Sequence, residues 1–567
     1  MEEKNTFLNL DFEVGVNYKP KNWIIEGKGY TLKLDPLNAY HGKNGLRITK
    51  YGEGRFGTAG SILPINSVKG KHILYTGYIK TLNVNTGYAG LWMRVDSNNA
   101  SIKLENMNKY GAKGLSIWTR YSIEMDINEG AQFVCFGVLL DGDGTAWFDS
   151  LNIYVDGKLF TDENYKPFIP TKEEYDWIKT NAVKLSTVEP NSNFDDIAPL
   201  KPIFDEAEII SLGEGTHGTS EFFKMKDRLV RFITQDNKNA VFAIEANMPE
   251  ARLLNDYIQT GKGDAKKLLD GLYFWTWNTQ EVLDMIEWMK DYNLSGKGNI
   301  EFWGFDMQTP TIALKNIAEF ISKNEPAYSD SVNNLNNIIT DCYEQLMRNY
   351  KNQDKNFAKK WYNAANILSN HLNKNRSQYL KLHDSTIVSF LIQDSKIVLQ
   401  GAETFLYGYY SRDFSMAQNI IWIKEHIAKD KKLILWAHNG HVTKGKKMMG
   451  DYLFKEYGNK MFVVGFCYYD GSYTTNGVKG LEAYSTDLPK AESIEWILHN
   501  IGIKNIFLNI RNISNTPNAI WLNDQLNIRD IGSYQPEKAF YPLKLPECFD
   551  ALIFIDKTTP TKLLKEY

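Results

Sequence analysis

The chain has 567 residues, with 65 basic and 68 acidic side chains and a formal net charge of -3. So near a balance supplies no field to gather nucleic acid or an anionic membrane, and neither is expected as a partner. The length exceeds one typical domain of about 100 to 200 residues several times over, so at least two domains are expected, each able to bury a core.

The opening segment MEEKNTFLNLDFEVG is acidic and has no apolar run of the signal-peptide kind, so the chain as it stands reads as cytoplasmic. A removed leader would make it secreted or periplasmic. No apolar stretch nears the roughly 18 residues of a membrane span. From Asn9 to about Tyr154 short alternating segments such as GLRITKYG, HILYTGYIKTL, AGLWMRVDS, QFVCFGVLLDG and AWFDSLNIYV are broken by Gly, Asn and Asp. This period of two predicts an all-β, jelly-roll-like sandwich over residues 1–160, similar to carbohydrate-binding modules, with a glycan as its candidate ligand. Trp23, Trp92, Trp118 and Trp147 could stack on sugars, although tryptophans in a sandwich usually fill the core. Asp141 and Asp143 do not continue into a calcium loop, because Thr145 stands at the third ligand position, and a turn is expected there.

A linker is expected over residues 161–176, and a second domain from 177 to 567. In this region apolar runs of strand length (AEIISLGE, NAVFAIEAN, IEFWGFDM, KLILWAHNG, MFVVGFCYY, NIFLNI and DALIFID) alternate with amphipathic helices. Runs apolar throughout suit strands buried on both faces, so an α/β domain with a mostly parallel central sheet is predicted. A helical block between about 311 and 429 reads as an insertion flanking the site. Cys135, Cys342, Cys467 and Cys548 are far apart with no Cys-x-x-Cys pair, so neither a zinc knuckle nor a disulfide framework is expected.

The stretch IISLGEGTHGTSEFF contains Gly213-x-Gly215-x-x-Gly218 between a strand and a helix. In a dinucleotide-binding loop those glycines would admit a pyrophosphate, but Glu214 would repel it and no acidic ribose partner is placed about 20 residues on. What remains is a carboxylate and an imidazole on one turn. Other strands also finish on ionisable residues: Glu245, Asp306, and His438 with His441 behind it. Ligands of open α/β sheets bind outside the carboxyl ends of the strands, so these residues are predicted to converge although each alone could merely cap a helix. Of the nine histidines, His217, His438 and His441 follow apolar strands; the other six lie in surface-like or helical contexts.

The segments LGEGTHGTSEFFKMKDRLVRFI, FAIEAN, WGFDMQ, SRDFSMAQNIIWI and LILWAHNGHV, in this order, resemble the erythromycin esterase family from about Trp177 onward. That resemblance implies an α/β hydrolase without a nucleotide cofactor, some of whose relatives open macrolide lactones. It puts the family's catalytic glutamates on Glu214 and Glu245 and its histidines on His217 and His438. Lys226 stands where some macrolide-cleaving members have arginine, a point charge in place of a bidentate fork.

No Gly-x-Ser-x-Gly elbow is present, so water is the expected nucleophile. The expected scheme has His217 as general base, with Glu214 and Glu245 orienting it and the water. His438 or Lys226 would then stabilise the oxyanion or protonate the leaving alcohol. His441, Asp306 and Arg412 are supporting residues, the last two as an ion pair. No cofactor is expected. Alternatives are a metal-dependent hydrolase with Glu214, His217, Glu245 and His438 as ligands, and a non-catalytic carbohydrate-binding or polysaccharide-associated protein.

Overall fold

The structure, a computed structural model, describes residues 8–565 apart from 17, 98–99, 132, 162–167, 349–353, 478–479, 490 and 536–538. The chain divides into two compact units, Met1–Ile169 and Pro170–Tyr567.

The first unit is all β. Its strands lie in the order Ile24–Glu26, Phe56–Leu63, Phe133–Gly142, His72–Ser97, Thr145–Val155, Gly45–Lys50, Tyr30–Asp35. HILYTGYIKTL and AGLWMRVDS, which read as separate segments, are one 26-residue strand, His72–Ser97. Its first half pairs with Thr145–Val155 and its second with Phe133–Gly142, so one strand serves both parts of the sheet. Alternate residues fill one core, among them Leu46, Ile48, Ile79, Leu91, Phe136, Val138, Phe148 and Ile153. Trp23 and Trp147 are buried in this unit. Trp92 donates to Thr58 Oγ1 at 2.8 Å, and Trp118 meets Tyr40 edge-on at 5.9 Å. Asp143 clamps a turn by accepting the N–H groups of Asn85 and Thr86.

Of the expected linker, 162–167 lie outside the described residues, and its last residues are helical: α1 runs Lys172–Asn181. Thr171 and Glu174 form a reciprocal capping box there, which gives the helix its start.

In the second unit we label β1 Ala182–Lys184, β2 Ile209–Leu212, α2 Ser220–Thr234, β3 Asn239–Asn247, α3 Met248–Thr260 and β4 Asn299–Asp306. The helical block follows as α4 Thr311–Asn324, α5 Ser329–Arg348, α6 Lys355–Leu382, α7 Ser385–Tyr407 and α8 Tyr409–His426. Then come β5 Lys432–Trp436, α9 Asn439–Val442, β6 Met461–Gly477, β7 Asn505–Asn509 and β8 Ala551–Thr558. The sheet order is β1-β7-β8-β6-β2-β5-β3-β4. All neighbours from β8 to β4 are parallel, and β7 joins β8 and β1 antiparallel. The short central strand β2 is buried at every residue, as a strand covered on both faces must be. Helices α4 to α7 enclose a core of their own around Ile317, Ile339, Trp361, Leu368 and Val398. Gly408, at φ 84° and ψ −164°, breaks α7 from α8.

Candidate functional site

Between β2 and α2 the chain turns through the glycine motif. A Cβ on Gly213 would lie 2.2 Å from Asn439 Oδ1, and one on Gly218 2.0 Å from the Thr474 carbonyl. These glycines permit the close approach of neighbouring backbone that sets Glu214 and His217 in place.

Glu214 is fully buried. Its Oε1 faces His217 Nδ1 at 2.7 Å, while Oε2 accepts from Lys226 Nζ at 2.5 Å and Trp436 Nε1 at 2.7 Å. Burial pushes this carboxyl up, but the Lys226 ammonium and His217 outweigh it and hold its pKa at about 2. Burial takes Lys226 the other way, down to about 8 against the lift from Glu214. A carboxylate can only accept, so the neutral His217 ring is the tautomer with its hydrogen on Nδ1 and its lone pair on Nε2. The His217 and His438 rings stand 4.7 Å apart.

Glu245, at the end of β3, forms a second cluster. Its Oε1 accepts from Arg412 Nη2 at 2.7 Å and lies 3.3 Å from His441 Nε2; Oε2 accepts the His438 backbone N–H at 3.1 Å. Arg412 also grips Asp306, through Nε at 3.2 Å and Nη2 at 2.7 Å. His441 Nδ1 meets Asp413 Oδ1 at 3.0 Å. Burial works against a charge on His441, yet Glu245 and Asp413 raise its pKa to about 10; Arg412 Nη1 also lies 3.1 Å from its Nε2. Burial pushes the Glu245 carboxyl up, but His441 and the Arg412 guanidinium outweigh it and keep it well below the usual carboxylate range.

Three expectations change. Glu245 does not touch His217: its oxygens serve Arg412, His441 and the His438 backbone. Lys226 has no exposed side-chain surface and lies against Glu214 and the Trp436 ring, whose centroid is 4.3 Å away, so it supports the carboxylate and does not face a substrate. His438 has neither ring nitrogen idle, since Nδ1 accepts the Gly440 N–H at 3.2 Å and Nε2 lies 3.1 Å from the Ile531 carbonyl and 3.3 Å from Asp530 Oδ1. Burial lowers its pKa, so it is a neutral imidazole whose Nε2–H can donate a hydrogen bond but is no acid for a leaving alcohol.

Among the described residues no group of three or more His, Cys, Asp and Glu side chains is disposed to hold a metal ion. Both oxygens of Glu214 already accept from cationic or N–H donors, and those of Glu245 do likewise, which leaves poor metal ligands.

The sequence did not single out Trp436, Asp413, Tyr409 or Asp530. Tyr409 Oη is 3.2 Å from His441 Nδ1, with its ring stacked on the imidazole at 5.2 Å. The first turn of α8 therefore carries Tyr409, Arg412 and Asp413 together, and only Arg412 had drawn notice.

The family model described as erythromycin esterase matches residues 236–558, a span holding Glu245, Asp306, Arg412, His438 and His441. The chain is 21% identical to the erythromycin esterase type II of Escherichia coli over 446 residues, which cover 69% of this chain and 99% of that one. It matches the crystal structure of a Bacillus cereus protein at TM-score 0.62 and 25% identity, over 70% of this chain and all of the other. A mutant of the erythromycin esterase EreC in its open conformation matches at TM-score 0.55 and 17% identity, over 68% of this chain and 99% of that one, a likeness of fold. With more than half of its residues under that one model, the chain belongs to the erythromycin esterase family.

Proposed function

We propose that this hydrolase cleaves a carboxylic ester or macrolactone by attack of a water molecule that His217 activates. The observation that carries the reading is the Glu214–His217 pair: a fully buried carboxylate 2.7 Å from Nδ1 fixes the tautomer whose Nε2 is a free base. Lys226 and Trp436 hold the other oxygen of Glu214, so the carboxylate cannot swing away.

In the first step His217 Nε2 takes a proton from water as the water oxygen bonds to the ester carbon. Glu214 steadies the imidazolium that forms, in the manner of an acid–base–nucleophile triad. The tetrahedral intermediate then collapses: its carbon–alkoxide bond breaks, and the proton on Nε2 passes to the departing alcohol. The carbonyl oxygen draws the Nε2–H of His438 away from the Ile531 carbonyl. That bond, at 3.1 Å with Asp530 Oδ1 a further 3.3 Å neighbour, is long enough to be exchanged for a charged acceptor.

The test is a panel of simple esters and macrolides, assayed with and without a strong chelator, with His217→Ala as control. Turnover that survives the chelator and vanishes in the variant supports the reading. Turnover abolished by chelation and restored by Zn²⁺ or Mn²⁺ overturns it in favour of a metal-activated water.

A further inference from the structure

Gly440 lies in the His438–His441 turn, and the position its side chain would take is flanked by polar atoms. A Cβ there would meet His438 Nδ1 at 3.4 Å, Tyr409 Oη at 3.6 Å and Asp530 Oδ2 at 3.8 Å, all ordinary contact distances. Three segments well separated in sequence thus bring polar atoms around one point. His438 Nδ1 is occupied by the Gly440 N–H.

The other two atoms face the space with opposite hydrogen-bonding character. Asp413 Oδ1 accepts the Met449 N–H at 2.8 Å and, as a carboxylate oxygen, can only accept from His441 as well, so His441 Nδ1 carries a hydrogen. That nitrogen has no lone pair left, and the 3.2 Å contact makes the Tyr409 oxygen the acceptor. The Tyr409 O–H must therefore point elsewhere. Tyr409 is 48% exposed, and burial of its phenol with the nearby Asp413 charge keeps it protonated. Asp530, its side chain 35% exposed, turns Oδ1 toward His438 Nε2 at 3.3 Å and leaves Oδ2 toward Gly440. A donor and an acceptor flanking one small space suit a group that both accepts and donates, and a hydroxyl does so. A ketone would leave the carboxylate unmatched, and an ammonium the phenol.

We propose that Tyr409, Gly440 and Asp530 form a subsite for a hydroxyl of the substrate, beside the Glu214–His217 pair, so that the ester cleaved is one carrying a free alcohol. This rests on the esterase reading for its catalytic consequence, not for the binding itself.

Two measurements separate the two ideas. The first compares kcat/KM for ethyl lactate and ethyl propionate in the full chain, in Gly440→Ala, whose methyl fills the space, and in Tyr409→Phe. The hydroxy ester should be preferred by about tenfold or more, and the ratio should fall toward one in both variants. A ratio cancels any general loss of activity or folding. The second follows binding of propylene glycol against n-propanol by saturation-transfer NMR, in the wild type and the same variants. The diol should be preferred, with the preference lost in each variant. A diol preference absent from the wild type, or surviving both substitutions, overturns the subsite. A diol preference that behaves as expected while neither ester is cleaved upholds the subsite and removes the esterase reading instead.

Discussion

At the scale of single residues, His217 is the group on which turnover depends. His217→Ala should cost about 10²- to 10⁴-fold or more in kcat, with an unchanged circular dichroism spectrum, and a variant that keeps wild-type turnover would remove the base from the scheme. Lys226 acts on stability through Glu214. Lys226→Met leaves a buried carboxylate with one cationic partner fewer and should cost about 3–5 kcal/mol in urea unfolding. The pH dependence has a sign at each end. Glu214 titrates at about 2 in the folded chain, below its ordinary 4.5, so its stabilisation is present above about 4.5 and is lost as pH falls toward 2. His441 titrates at about 10, above its ordinary 6.5, so its contribution is full below about 6.5 and is lost as pH rises through 10. Melting curves of Glu214→Gln should flatten on the acid side and those of His441→Gln on the alkaline side; the reverse pairing would refute both assignments. Glu214, Glu245, Asp306 and His438 were legible because each stands where an apolar run stops. Asp530 was not, since it follows a strand with no long apolar run and is one acidic residue among 68.

Among the elements, the strands of the central sheet could be read because burial on both faces leaves runs such as Ile209–Leu212 and Lys432–Trp436 with little room for polar residues. The pieces that escaped are short and antiparallel: Gly480–Ser485 against the end of β6, and the pair Gln525–Arg529 with Phe540–Lys544. Their apolar residues are too few for a pattern, and their partners are set by tertiary context. The break at Gly408 is a matter of backbone geometry. Its φ and ψ fall in a region open essentially to glycine, and a Cβ there would meet nothing within 4 Å, so only backbone strain opposes substitution. Gly408→Ala should therefore cost about 1–3 kcal/mol and also lower kcat/KM, because the first turn of α8 carries Tyr409, Arg412 and Asp413. Equal stability in the two proteins would show that the break is not imposed by this residue.

For the whole molecule, the two units have cores without shared residues, and a chain beginning at Pro170 is expected to fold with the circular dichroism of an α/β protein and to keep any turnover on small soluble esters. An insoluble fragment would mean that residues before Pro170 complete its fold. Within the second unit, the partners of the site come from remote parts of the chain. Trp436 donates to Glu214 across 222 residues, Ile531 donates its N–H to the Gly215 carbonyl, and Glu221 accepts the Thr559 N–H across 338 residues. Closing such loops costs chain entropy before any contact repays it, so folding should be slow. A ribosome-bound chain ending before about residue 530 has Glu214 and His217 but lacks the Ile531 backbone that holds the Gly215 carbonyl and His438 Nε2. In refolding from denaturant, recovery of hydrolysis should then lag behind burial of tryptophan in α2 to β5, and the protein should emerge from synthesis catalytically silent until its last strand has docked.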